Sequence, residues 1–204
     1  MLSFMSSLRG DSDSFAIFVT EKYEYKDSKG ILSKDIGKKI DLFLKSLKEK
    51  KQKEEISSLD ISNKKKCFII KVKSKYHNNY FEEIGGSFFT FIKKYQLIKS
   101  VDIYVDSLSE EKSKLSKIFS EFIFGYNLKS YVFNKYKTLN KEKINKTIDC
   151  KIISSNKANI EENYKYYNAI KEGVFLARDL VSEPPNVLNP KSYVDEIKKL
   201  SKFG

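Results

Sequence analysis

Apolar residues alternate between two periods along this chain. Phe15 to Val19 is an unbroken apolar run, which predicts a buried strand. Phe68, Ile70 and Val72 alternate with Ile69, Lys71 and Lys73, and Val101, Ile103 and Val105 repeat the period of two. A weaker run from Ile56 to Ile61 is placed to pair with Phe68–Val72 as a hairpin, and Ile148, Cys150 and Ile152 give a last strand. Between these runs the period lengthens to 3.6. Ile36, Ile40, Phe43, Leu44 and Leu47 share one helical face, Phe81 to Tyr95 has helical spacing, and Leu115, Ile118, Phe119, Phe122, Ile123 and Tyr126 form a strong stripe. Strand and helix alternate four times. That order argues for a largely parallel or mixed sheet covered by helices on both faces.

The helix after the last strand has the most regular pattern. Ile160, Tyr164, Tyr167, Ile170, Val174, Ala177 and Val181 step by three or four, one stripe over about six turns. Gly173 interrupts it at a cost of about 1 kcal/mol relative to alanine, which makes sense if another backbone packs close there. All three prolines then fall between Pro184 and Pro190. Proline and the residue before it are driven out of the α region, so SEPPNVLNP is expected to run extended. Asn189 followed by Pro190 reads as a helix start, N-cap then first helical residue, with Val194, Ile197 and Leu200 on its apolar face. Glu172 to Leu200 is therefore a connector between two folding units. The expected organisation is an α/β domain at 1–158, a linker helix and proline-marked connector at 159–189, and the start of a second unit at 190–204, a unit missing its remainder.

Composition adjusts this picture. With 40% hydrophobic and 14% aromatic residues in 204, a full core is available. No apolar run is long enough to span a membrane, and the first residues lack a signal-peptide pattern, so a cytoplasmic location is expected. Cys67 and Cys150 each sit in an apolar strand-like run, as buried free thiols do. The net charge of +12 invites nucleic acid. Yet Arg9 and Arg178 are the only arginines, and arginine is the residue that makes bidentate phosphate and base-edge contacts. The lysine clusters at 48–53 and 64–66 fall at an expected helix end and loop, where a solvated face is the ordinary reading.

The chain offers little chemistry. His77, alone in a polar stretch, has neither a zinc pattern nor a nominated partner. Asp11 and Asp13 form a D-x-D in a segment read as a solvated tail. Gly85-Gly86 is not part of a phosphate-binding glycine signature, and close helix packing explains it better. No serine sits in a nucleophile elbow. The tyrosine-rich stretches at 125–136 and 164–170 carry stacking surfaces but have the spacing of core residues. No catalytic, metal-binding or cofactor-binding residue emerges.

ARDLVSEPPNVLNP at 177–190 closely resembles the segment that joins the two domains of the leucyl (cytosol) aminopeptidases. FGYNLKSYVFNKYKT at 124–138 resembles an N-terminal-domain helix of that family ending in a Tyr-Lys-Thr turn, and EEIGG at 82–86 is in keeping. The resemblance implies a macro-domain-like mixed sheet flanked by helices, followed by a linker helix and the first helix of a catalytic domain. It implies two divalent metals, zinc or manganese, in that second domain, peptide substrates and a homo-hexamer. The family's catalytic motifs do not occur here, so no metal ligand or catalytic residue is carried over. The matched linker residues Arg178, Asp179, Pro184, Pro185, Asn186 and Pro190 are expected to be structural, with ion pairing from Arg178 and Asp179. Two other readings are a stand-alone macro-like module for nucleotide or ADP-ribose, and a basic nucleic-acid-binding protein.

Overall fold

A computed structural model of the chain describes residues 2–7, 12–27, 30–63, 65–138 and 148–201. Its strands are β1 (Leu2–Met5), β2 (Ser14–Val19), β3 (Ile56–Ser62), β4 (Lys65–Lys71), β5 (Ser100–Tyr104) and β6 (Asp149–Ile153). Its helices are α1 (Lys34–Glu49), α2 (Tyr80–Lys93), α3 (Lys112–Ser130), α4 (Lys157–Ser182) and α5 (Pro190–Leu200). The strands form one six-stranded sheet in the order β1-β6-β5-β2-β4-β3. Every neighbouring pair is parallel except the β3–β4 hairpin. The expected mixed sheet with helices on both faces is what the structure has.

The unbroken apolar run at Phe15–Val19 follows from the position of β2 inside that sheet. A strand covered on both faces has no polar side to show. Phe15, Ile17 and Val19 point toward α1 and pack with Ile40, Leu44 and Leu47. Ala16 and Phe18 point the other way, into the larger cluster built with α2, α3 and α4. Phe18 meets the rings of Phe119 and Phe122 edge-on at 4.6 and 5.3 Å. Each such fully buried side chain contributes about 1.5–3 kcal/mol. The two cysteines are free and buried. They lie on opposite faces, Cys67 with the α1 layer and Cys150 with the other, so the sheet itself separates the thiols.

α2 and α3 cross at glycines. A Cβ on Gly85 would overlap the Phe122 carbonyl, and one on Gly125 would overlap the Glu82 carbonyl. Close helix packing, the expectation for Gly85-Gly86, is therefore realised by Gly85, with Gly125 as its counterpart. Gly173 is different. Among the described residues nothing outside its own stretch of helix lies within 4 Å of where its Cβ would be, contrary to the expected close approach of another backbone.

The N-terminal segment also departs from expectation. Leu2–Met5 is an edge strand, parallel to β6 and in register from Leu2↔Cys150 to Met5↔Ile153. Four residues are too short for periodicity to show. Asp13 is no solvated tail residue: its carboxylate accepts from the backbone N–H groups of Lys99 and Ser100 at 2.9 and 3.1 Å, tying the start of β2 to β5. Asp11, Arg9 and Lys64 lie outside the described residues.

The α4 stripe holds for only half its length. Ile160 and Tyr164 are buried in the core and Tyr167 packs against it. Ile170 and Val181 are exposed at 38% and 88%. The proline segment turns rather than extending: the Pro184 carbonyl accepts from the N–H groups of both Val187 and Leu188 at 2.9 Å. The fixed φ of Pro185 suits the second position of such a turn. Asn189 caps α5 as expected, accepting from the Lys191 and Ser192 N–H groups, while Ser192 bonds back to the Asn189 N–H, and Pro190 begins the helix.

Candidate functional site

In an open α/β sheet, ligands gather at the carboxyl ends of the parallel strands. Here those ends are filled by the chain's own polar groups. After β5, a 3₁₀ turn (Val105–Ser107) places the Ser107 hydroxyl to donate to the Tyr104 carbonyl at 2.7 Å and accept the Phe18 N–H at 2.8 Å. The Asp106 carboxylate accepts from the Ser154 hydroxyl and the Ser155 N–H. Asp27 accepts from the Ile31 and Leu32 N–H groups and from the Tyr104 hydroxyl. Clefts open elsewhere instead. One of about 730 Å³ lies beside the start of β3, with Ile56, Gly86 and Thr90 on its walls. Another, of about 750 Å³, lies at the amino ends of β2 and β4, beside Asp13, Lys65 and Leu97.

Individual chemical candidates do not converge. His77 sits on the surface with Nε2 3.4 Å from the Glu83 carboxylate, and both side chains are more than half exposed. Among the described residues no three His, Cys, Asp or Glu side chains are grouped to hold a metal ion. The described residues therefore offer no ligand set for the metals that the resemblance implies for a second domain. Of the tyrosine-rich stretches, Tyr126 and Tyr164 are core residues, and burial pushes the Tyr164 hydroxyl up to about 12. Tyr167 donates to Glu121 at the core margin, whereas Tyr166 is 69% exposed.

The residues that do converge belong to the two segments carrying the resemblance. After α3 the chain leaves helical geometry and runs as a strap, Tyr131 to Tyr136, across the far half of α4. The Tyr131 ring lies 5.1 Å from the Phe175 ring and 5.4 Å from the Arg178 guanidinium. Arg178 also donates to the Leu128 carbonyl at 2.8 Å, satisfying a carbonyl of the last turn of α3. The Tyr131 hydroxyl donates to Asp179 at 2.8 Å. Glu183 takes the Lys135 ammonium at 2.6 Å and the Tyr136 hydroxyl. Its side chain is 9% exposed, and these two bonds hold its carboxyl below the usual range. Behind the strap lies a cleft of about 660 Å³ lined by Phe133, Leu176, Leu180, Val187 and Leu188.

The expected ion pairing of Arg178 and Asp179 is not what they make: their partners are the Leu128 carbonyl and Tyr131. Adjacent helix residues do not face each other, so they make no pair of their own. Pro184 supplies the turn carbonyl, Pro185 and Asn186 form the exposed turn, and Pro190 opens α5. Sequence reasoning did not single out Tyr131, Lys135, Tyr136, Phe175 and Glu183. The spacing of Phe175, Arg178, Asp179 and Glu183 (three, one and four) does place them along one side of a helix, but periodicity read from apolar residues passes over it.

No protein-family model matches the chain. Curated relatives do. A probable cytosol aminopeptidase of Rhizobium leguminosarum bv. trifolii (strain WSM2304) is 35% identical over 113 residues, 52% of this chain and 22% of its own length. One of Wolbachia pipientis wMel is 30% identical over 135 residues, 65% of this chain and 25% of its own length. The chain thus matches about a quarter of the length of these relatives. In three dimensions it resembles the K354E mutant of tomato leucine aminopeptidase with a TM-score of 0.74 at 18% identity, covering 99% of this chain and 42% of that one. The macrodomain of Thermus aquaticus DarG gives 0.50 at 11% identity, over 76% of this chain and 98% of that one. The fold is that of an α/β domain shared by aminopeptidases and macrodomains. Within that class, the chain is similar in sequence to about a quarter of the length of cytosol aminopeptidases and in fold to part of a leucine aminopeptidase.

Proposed function

We infer that this chain is the N-terminal, non-catalytic portion of a leucyl aminopeptidase, an enzyme that removes N-terminal amino acids from peptides in the cytoplasm with the help of divalent zinc or manganese. The carrying observation is the connector: the segment that resembles the family's interdomain link follows an α/β domain, and cytosol aminopeptidases match the chain over about a quarter of their length. The metals and the catalytic side chains belong to the unmatched part of such an enzyme. The α/β domain serves assembly into a homo-hexamer and control of access to the catalytic sites. The arginine-poor surface gives nucleic acid little to be read by, and Arg178 is already engaged with Leu128 and Tyr131.

The purified 204-residue chain is expected to release no leucine from leucine amide, with or without added manganese. Turnover that a chelator abolishes would refute the reading. The likeness to a macrodomain supports one alternative, a nucleotide or ADP-ribose module. Against it stand the strand ends, where Asp27, Asp106 and Ser107 spend their hydrogen bonds within the chain. Calorimetry with ADP-ribose is expected to be silent; saturable heat would favour the alternative.

A further inference from the structure

The two segments that resemble the family are each other's contact partners, although about forty residues separate them in sequence. α4 makes this contact necessary. Its first turns pack on the core through Ile160, Tyr164 and Tyr167. From Tyr167 to Ser182 the helix runs on for about 22 Å beyond that support. Along this stretch Ile170, Ala177 and Val181 are exposed, and among the described residues nothing beyond its own helix would meet a Cβ at Gly173 within 4 Å. The contact line of the helix does not follow the apolar stripe. It passes from Ile160, Tyr164 and Tyr167 to Lys171, Phe175 and Arg178, stepping by four, three, four, four and three. Lys171 is 17% exposed at its side chain, with its ammonium over the Phe175 ring at 5.8 Å.

We propose that the Tyr131–Tyr136 strap is a brace that fixes the direction in which the chain leaves α4, with Tyr131, Lys135 and Tyr136 on the strap and Arg178, Asp179 and Glu183 on the connector as positioning residues. The contacts sit at successive levels. Arg178 ties the helix to the end of α3 through the Leu128 carbonyl, and Tyr131 fills the space between Arg178 and Phe175. Glu183 is the last residue before the proline turn, so its bonds to Lys135 and Tyr136 fix the point at which the turn departs. α5 has no buried residue of its own, so its orientation depends on this departure point. A single exposed polar contact is weak, but several sharing a geometry restrict one another. The brace holds whether the connector leads into a catalytic domain or any other unit.

The test is the distance between spin labels on Leu97→Cys, in the α/β domain, and Lys198→Cys, on α5, measured by pulsed electron resonance. Both positions are exposed and the native cysteines are buried, so labelling is selective. The parent is expected to give one narrow distance distribution. Glu183→Ala and Arg178→Met are each expected to broaden it about twofold or more, as local order is lost without global unfolding. Tyr131→Phe, which keeps the ring and removes the hydroxyl's bonds to Asp179 and Ser182, is expected to broaden it less. Lys165→Ala, elsewhere on α4, leaves it unchanged. Near-ultraviolet circular dichroism confirms the domain fold in every variant. A broad distribution in the parent, or one that none of the brace variants alters, overturns the proposal. Neither outcome touches the aminopeptidase reading, which the activity assay tests separately.

Discussion

The two halves of α4 share one helix and are held by different physics. The near half is held by burial: Ile160 and Tyr164 lie in the core, the Ser120 hydroxyl donates to the Ile160 carbonyl, and Asn127 donates to the Tyr164 hydroxyl. The far half is held by a cation over a ring, a carbonyl taken by an arginine and a carboxylate shared by a lysine and a tyrosine. Apolar periodicity finds the first kind of contact because the hydrophobic effect is non-directional and marks a face. It cannot find the second, because directional polar contacts depend on what stands opposite.

Truncation separates the two halves most sharply. Ile160→Ala leaves a cavity where no solvent reaches, and a loss of about 2–5 kcal/mol in unfolding free energy is expected. Val181→Ala, on the same apparent stripe but 88% exposed, is expected to stay within about 0.5 kcal/mol of the parent. Urea denaturation of both variants checks this. Equal losses would mean that the far stripe is covered in solution and that the two halves do not differ.

Extremes of pH should loosen the halves in opposite directions. Burial raises the Tyr164 hydroxyl to about 12, above its ordinary value of about 10. A group raised on folding contributes stability that is whole below its unfolded pKa and is lost as pH rises through the folded one. The near half is therefore expected to weaken between about pH 10 and 12, and Tyr164→Phe should remove part of that dependence. Glu183 is the opposite case, held below the usual carboxylate range first by Lys135 and then by the Tyr136 hydroxyl. Its contribution is whole above the unfolded value and is lost as pH falls through the depressed one. The brace is thus expected to hold at mildly acid pH and to open only below the ordinary carboxylate range. Label distances recorded down an acid titration follow the far half, and tyrosinate absorbance against pH follows the near half.

Legibility in the sequence divides along the same line. The five longer strands and five helices could be read because each spends several residues repeating a period, as Ile36, Ile40, Phe43 and Leu47 do in α1. β1 could not: four residues at an edge carry too little pattern, and their meaning comes from β6, nearly 150 positions away. Asp13 looked like a tail residue for the same reason, since its partners at Lys99 and Ser100 are distant in sequence. Gly85 was legible as a packing glycine because it lies within an apolar face, although nothing local named Gly125 as its counterpart. At the connector, resemblance identified both segments without showing that they touch. Proline chemistry correctly ended α4, but the turn at Pro184 needed the Val187 and Leu188 N–H groups to become visible.

The smallest effect concerns Gly173, where sequence and structure disagree most directly. A glycine inside a long helix suggests close approach of a second backbone, as at Gly85. Among the described residues a Cβ at Gly173 would meet nothing beyond its own helix within 4 Å, and the residue lies within α4 on its exposed side. Only the backbone freedom of glycine then remains to be counted. That freedom lowers stability because the unfolded chain has more conformations to lose. Gly173→Ala is accordingly expected to raise the unfolding free energy by about 0.5–1 kcal/mol. If the unbraced face of α4 is instead covered by a second copy of the chain in solution, the same substitution would lower stability and weaken association. Thermal unfolding at two protein concentrations separates these outcomes, because a covered Gly173 makes the midpoint depend on concentration and an open one does not.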